Sequence, residues 1–194
     1  MFRIISALIF KIKGWKVKID PKLIKNNKQF VLLGIPHTSN WDAVYFTGAV
    51  FLRKIKTHFL IKKEWMRFPF NLIFKPIGGI GVNNKSKNGA KSSIVIEEIV
   101  QLFNEKKELI IAIAPEGTRS FNPNWKTGFY QIALQSKVPI ALGFLDYKNK
   151  IAGITDIFLP TGNLHADLIK ISEYYSKFTG KNHDQYSGFQ TQKN

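Results

Sequence analysis

Apolar residues in this chain gather into short, nearly unbroken runs separated by longer stretches in which they recur every three or four positions. Phe30-Val31-Leu32-Leu33-Gly34-Ile35, Glu108 to Ala114 and Val138 to Asp146 read as buried strands, the second suited to a sheet covered on both faces. Thr57 to Lys62 reads as a further strand, Lys150 to Leu159 as a strand or hairpin partner, and Pro76 to Asn84 as a glycine-rich turn into a short strand. Between them the spacing predicts helices from Trp41 to Arg53, Asn88 to Lys106, about Phe129 to Ser136, and Leu164 to Phe178. On the second of these, Ile94, Ile96, Ile99, Val100, Leu102 and Phe103 supply a buried side. The order predicts one α/β domain over residues 29–180, with a mostly parallel or mixed central sheet flanked by helices. Residues 181–194 are expected to form a flexible polar tail.

Residues 1–28 follow a different pattern. Phe2, Ile5, Leu8, Ile9, Ile12 and Trp15 alternate with eight basic residues against Asp20 alone. This suits a basic amphipathic helix lying in a membrane interface, or one packed on the domain with a solvated basic rim. The apolar run Ile4 to Phe10 is too short for a secretory signal, lysines follow it at once, and no run approaches the ~20 residues that span a bilayer.

Composition narrows the partners. With 29 Lys plus Arg against 13 Asp plus Glu, the net charge is +16, a field that attracts nucleic acid, an anionic membrane surface or a phosphorylated small substrate. The absence of cysteine excludes disulfides, thiol catalysis and zinc–thiolate sites. His37, His58, His165 and His183 are scattered with no metal-ligand spacing, so no metal is expected.

Candidate chemistry sits at two strand ends, each closed by a proline. Pro36 ends the first strand and leaves His37 at its tip; Ser39 or Asn40 then caps a helix whose first turn holds Asp42. A carboxylate there is placed to fix one imidazole nitrogen and leave the other as a base. The second end carries Pro115-Glu116-Gly117-Thr118-Arg119-Ser120. Ligands of open α/β sheets bind beyond the carboxyl ends of strands, so both clusters are expected to face one crevice. Lys62, at another strand end, is a candidate anion contact, and Met66 to Phe74 is either core or the wall of an acyl tunnel.

These motifs resemble the glycerolipid acyltransferases typified by 1-acylglycerol-3-phosphate acyltransferase, especially a short single-domain bacterial branch. His37 to Asp42 matches the family's block of histidine, four residues and aspartate, with Pro36 where an asparagine is common. Residues 115–120 match its Pro-Glu-Gly-Thr-Arg-Ser block, Val138-Pro139-Ile140 a later one, and Gly78-Gly79-Ile80 the glycine-rich one. The resemblance spans Phe30 to Asp146 and implies transfer of a fatty acyl group from acyl-CoA or acyl carrier protein to a lysolipid hydroxyl, with no cofactor. His37 is then the base and Asp42 its orienting partner. Arg119 clamps an anionic head group, Gly117 lets backbone approach substrate, and Glu116 either holds an acceptor hydroxyl or orients Arg119. Thr118 belongs to the same substrate-binding block. Where the family usually has a phosphate-binding arginine, this chain has Asn84, which cannot offer a charge-assisted fork. The implied location is the cytoplasmic face of a membrane, peripherally bound. Three rivals remain: a hydrolase using the same pair on water, although Ser39 and Ser120 lack the Gly-x-Ser-x-Gly elbow; a basic nucleic-acid-binding protein, although no such motif is present; and a non-catalytic lipid-binding protein, which leaves the His–Asp spacing unexplained.

Overall fold

The computed structural model describes residues 1–82 and 91–186. In chain order the elements are α1 (Phe2–Ile12), β1 (Lys16–Ile19), α2 (Pro21–Asn26), β2 (Gln29–Ile35), α3 (Trp41–Leu52), β3 (His58–Lys62) and α4 (Asn71–Phe74). They continue as β4 (Gly79–Val82), α5 (Lys91–Glu105), β5 (Leu109–Ile113), α6 (Gly128–Ser136), β6 (Ile140–Asp146), β7 (Ile151–Phe158) and α7 (Leu164–Tyr175). The seven strands form one sheet ordered β1-β7-β6-β2-β5-β3-β4. Only β6 and β7 pair antiparallel, because the four residues between Asp146 and Ile151 allow only a tight reversal. The sheet is therefore mixed, with helices on both faces, as the strand runs predict.

Alternation along β2 shows why its apolar run is unbroken. Val31, Leu33 and Ile35 join a core with Phe103 of α5, Phe129 of α6 and Ile171 of α7. Phe30 and Leu32 point the other way, toward Val50 of α3 and Ile55. A third cluster, Phe10, Trp15, Tyr45, Ala49 and Leu145, seats α1 on α3. Gly48 makes that seat possible, since a Cβ there would lie 2.7 Å from the Ser6 carbonyl oxygen.

The amino-terminal reading needs correcting in its second half. Residues 16–19 are not helical but add an edge strand parallel to β7, with Lys16 opposite Ile151 and Ile19 opposite Ile154. The lysines at 16 and 18 alternate with Val17 and Ile19, a period-two signal too short to stand out from the surrounding charge. Asp20 then caps α2 by accepting the Lys22 N–H at 2.8 Å, with Pro21 at the first helical position. The tail also differs from expectation: Asn182 is hydrogen-bonded to Thr38 beyond the β2 tip, and of the tail 187–194 lie outside the described residues. Among the described residues no helix is long and apolar enough to cross a membrane.

Candidate active site

Parallel pairing of β2 with both β5 and β6 brings three carboxyl ends to one edge of the sheet. β2 stops at Ile35, one residue before Pro36, and α3 starts at Trp41, so the loop between them holds His37 above the sheet. His37 Nδ1 lies 3.2 Å from Asp42 Oδ2. With the proton assigned to Nδ1 by that contact, Nε2 is left as the acceptor.

Asp42 is 3% exposed, yet its carboxylate is fully engaged. Oδ2 also accepts the backbone N–H groups of Thr38 and Ser39, each at 2.8 Å. Oδ1 accepts the Tyr147 hydroxyl at 2.5 Å. Burial first, and then the bond and charge of Asp42, push the Tyr147 hydroxyl well above its ordinary value, so it stays a donor. Tyr147 sits one residue beyond β6, at the sheet edge that already holds His37. Its ring is edge-on to Trp15 at 4.9 Å and to Tyr45 at 5.7 Å. No sequence motif marks it, but its place just past a strand tip is a topological signal that the same strand-end reasoning would have caught.

Glu116 has a partner that neither reading from the sequence gave: Oε2 accepts the backbone N–H of His37 at 2.9 Å, tying the β5 tip to the β2 tip. Its Oε1 is buried with no hydrogen-bond partner among the described residues. Burial, with a smaller contribution from the Asp42 charge, raises the carboxyl from its ordinary 4.5 to about 7 against the opposing effect of the His37 N–H. Gly117 adopts φ +65, a left-handed conformation that glycine takes without a Cβ penalty. The Lys126 side chain lies over it, close enough that a Cβ on Gly117 would be 2.8 Å from Nζ.

A cavity of about 1210 Å³ runs between α3 and the strands. His37, Asp42, Gly117, Arg119 and Lys126 line it near the carboxyl edge of the sheet. Ala43, Phe46, Val50, Phe59 and Leu60 give it mostly apolar walls along α3 and β3. Arg3, Lys54 and Lys56 line it where β3 begins, beside Phe2, Phe74 and Ile77. Its floor includes Gly34 and Gly143, which are paired across β2 and β6.

The structure thus brings His37, Asp42, Glu116, Gly117 and Arg119 together. Lys62 is exposed at the end of β3 and does not line the cavity, and Thr118 is exposed, accepting the Ser120 N–H at 3.3 Å. Asn84 lies outside the described residues. Lys126, which the sequence did not single out among so many lysines, joins Arg119 at the site. Of the segment Met66 to Phe74, Phe74 walls the cavity, whereas Phe68, Phe70, Leu72 and Ile73 are exposed. No group of three His, Asp or Glu side chains able to hold a metal occurs among the described residues.

A family model described as Acyltransferase matches residues 17–141, more than half of the chain. The chain belongs to the acyltransferase family. The fold of this acyltransferase is similar to the crystal structure of the 1-acyl-sn-glycerophosphate (LPA) acyltransferase PlsC from Thermotoga maritima. The TM-score is 0.59 at 17% identity, covering 90% of this chain and 75% of that one. No curated protein matches the chain. Every acyltransferase residue gathered at the two tips from His37 to Lys126 falls inside the family-matched span, whereas Tyr147 and the segment 179–186 lie beyond it.

Proposed function

We propose that this acyltransferase moves a fatty acyl group from acyl-CoA or acyl carrier protein to a hydroxyl of a lysophospholipid-type acceptor such as 1-acylglycerol-3-phosphate. The observation that carries the reading is the pairing of His37 with the buried Asp42, 3.2 Å apart, in one cavity with Arg119 and Lys126. An alcohol is a poor nucleophile near neutral pH, and a positioned imidazole lowers the barrier by taking its proton as it attacks. His37 Nε2 accepts that proton, the acceptor oxygen bonds to the thioester carbonyl carbon, and the resulting intermediate collapses with cleavage of the C–S bond. The imidazolium returns its proton to the departing thiolate. Asp42, held by four donors, stabilises the imidazolium and keeps the ring in one tautomer.

Arg119 and Lys126 supply positive charge for an anionic head group and so fix the hydroxyl near the carbonyl. The apolar reach of the cavity suits the acyl chain, and its volume exceeds the ~300–1,000 Å³ of ordinary small-molecule sites. Membrane association fits the outer side of α1, where Met1, Ile5, Leu8 and Ile12 are 95%, 46%, 58% and 72% exposed while Ser6, Ala7 and Phe10 pack inward. On a cytoplasmic, anionic leaflet the +16 charge would add attraction.

The test is purified protein with acyl-CoA and 1-acylglycerol-3-phosphate in mixed vesicles, beside His37→Ala. Diacylated product from the wild type, and its loss by about 10³-fold or more in the variant, is expected. Free fatty acid formed without acceptor would mark a hydrolase, and wild-type turnover by His37→Ala would remove the catalytic assignment.

A further inference from the structure

The segment after α7 turns back across both strand tips. Thr179 O accepts the Tyr147 N–H at 2.9 Å, and Gly180 is packed so closely that a Cβ there would lie 2.9 Å from Thr38 Oγ1 and 3.2 Å from Pro36 Cβ. Lys181 Nζ stands 5.3 Å from the centre of the Trp41 ring. Asn182 then engages Thr38 twice: its backbone N–H donates to Oγ1 at 3.2 Å, and its Nδ2 donates to the carbonyl at 2.8 Å. The Gln185 amide faces the carbonyls of Thr38 and Arg119 and, at 3.1 Å, Asn182 Nδ2; two acceptors against one donor put its nitrogen on that side, where it donates to the two carbonyls at 3.0 and 2.8 Å. Tyr186 follows with its hydroxyl buried beside the Glu116 charge.

Thr38 is the residue next to His37 and is 2% exposed. Its N–H is held by Asp42, and its carbonyl accepts from two side-chain amides, one for each lone pair. Both peptide planes flanking Thr38 are therefore fixed, the second of them by Asp42 at the Ser39 N–H and by residues more than 140 positions away at the Thr38 carbonyl. Gln185 carries the same grip to the other tip, reaching the backbone of the residue that brings the guanidinium. Two loops about eighty residues apart in sequence are spaced by one short segment that lies outside the family-matched span.

We propose that residues 179–186 are a strap that sets the relative position of the His37 and Arg119 tips, with Asn182 and Gln185 as positioning residues for acyl transfer. The kinetic half of this inference rests on the acyl-transfer reading; the geometric half does not.

The test uses the full chain carrying Asn182→Ala or Gln185→Ala, compared with wild type by amide hydrogen exchange and by steady-state kinetics. Exchange should rise about tenfold in peptides covering 37–41 and 117–121 together, while peptides from 140–146 keep wild-type rates. Asn182→Ala should lower kcat by about tenfold with the thioester KM within about twofold, because misplacing a base costs rate and leaves the apolar chamber intact. Gln185→Ala should raise the KM for the anionic acceptor more than it lowers kcat. Unchanged exchange at both tips overturns the strap. So does a uniform rise across all peptides with a matching loss of folded protein, since that is the mark of a structural staple alone. If the wild type transfers no acyl group, the functional reading fails, and the exchange data still decide the strap.

Discussion

The two ends of the cavity are built on opposite principles. At the His37 end nearly every polar atom has a fixed partner: Asp42 accepts from four donors, Glu116 takes the His37 N–H, and Thr38 is held from both sides. At the end near Arg3, Lys54 and Lys56, the surroundings are Phe2, Phe74 and Ile77, and the nearby surface carries the exposed apolar side chains of α1. Directional bonds serve where reacting atoms must meet within tenths of an ångström. Under the proposed function, non-directional apolar contact would suit a flexible acyl chain and a membrane surface met in many orientations.

The largest expected effect breaks the ordered end alone. Asp42→Asn keeps the shape of the side chain but offers an amide where a carboxylate holds the imidazole. It should lower kcat by about 10³–10⁴-fold with little change in KM, measured with soluble short-chain thioester. The apolar end should respond in the reverse manner. Leu8→Asp combined with Ile12→Asp places charge on the exposed stripe of α1 and should weaken partition onto anionic vesicles by about 10²-fold. Turnover of the soluble thioester should stay at the wild-type level; a parallel loss of kcat would show that the two ends are not separable.

The smallest effect concerns stability. Because burial raises the Glu116 carboxyl from 4.5 to about 7, the folded chain favours its neutral form. That contribution is present in full below about pH 4.5 and is lost as pH climbs through about 7. Glu116→Gln keeps an acceptor oxygen for the His37 N–H and removes the titration. Thermal melts should show the wild type losing about 5 °C relative to the variant between pH ~4.5 and ~7.5, on the order of 2 kcal/mol. Parallel curves for the two proteins would place the carboxyl in a wetter site than its 5% exposure implies.

Much of the architecture was legible because buried parallel strands announce themselves as continuous apolar runs and prolines punctuate their ends. β3, β5 and β6 lie within the segments read as strands, and β2 starts one residue before its own. β1 escaped because four residues with two lysines carry too little periodic signal, and an edge strand needs only one apolar face. At the site, His37, Asp42 and the 116–119 block are local motifs and were readable as such. Lys126, Asn182 and Gln185 are assembled by strand order and by a returning segment, which one-dimensional spacing does not encode, whereas Tyr147 stands one residue past a strand that was readable. Glu116 shows a subtler limit: its place was readable, but its backbone partner, 79 positions away, was not.

The two glycines facing each other in the cavity floor are not equivalent. A methyl group on Gly143 would strike the Leu33 carbonyl oxygen at 2.6 Å, whereas one on Gly34 would meet nothing within 4 Å. One is a fixed plank of the sheet and the other an empty socket. Side chains of graded size substituted at 34 should narrow the chamber stepwise, so under the proposed function the length of acyl chain accepted would be adjustable at a single codon.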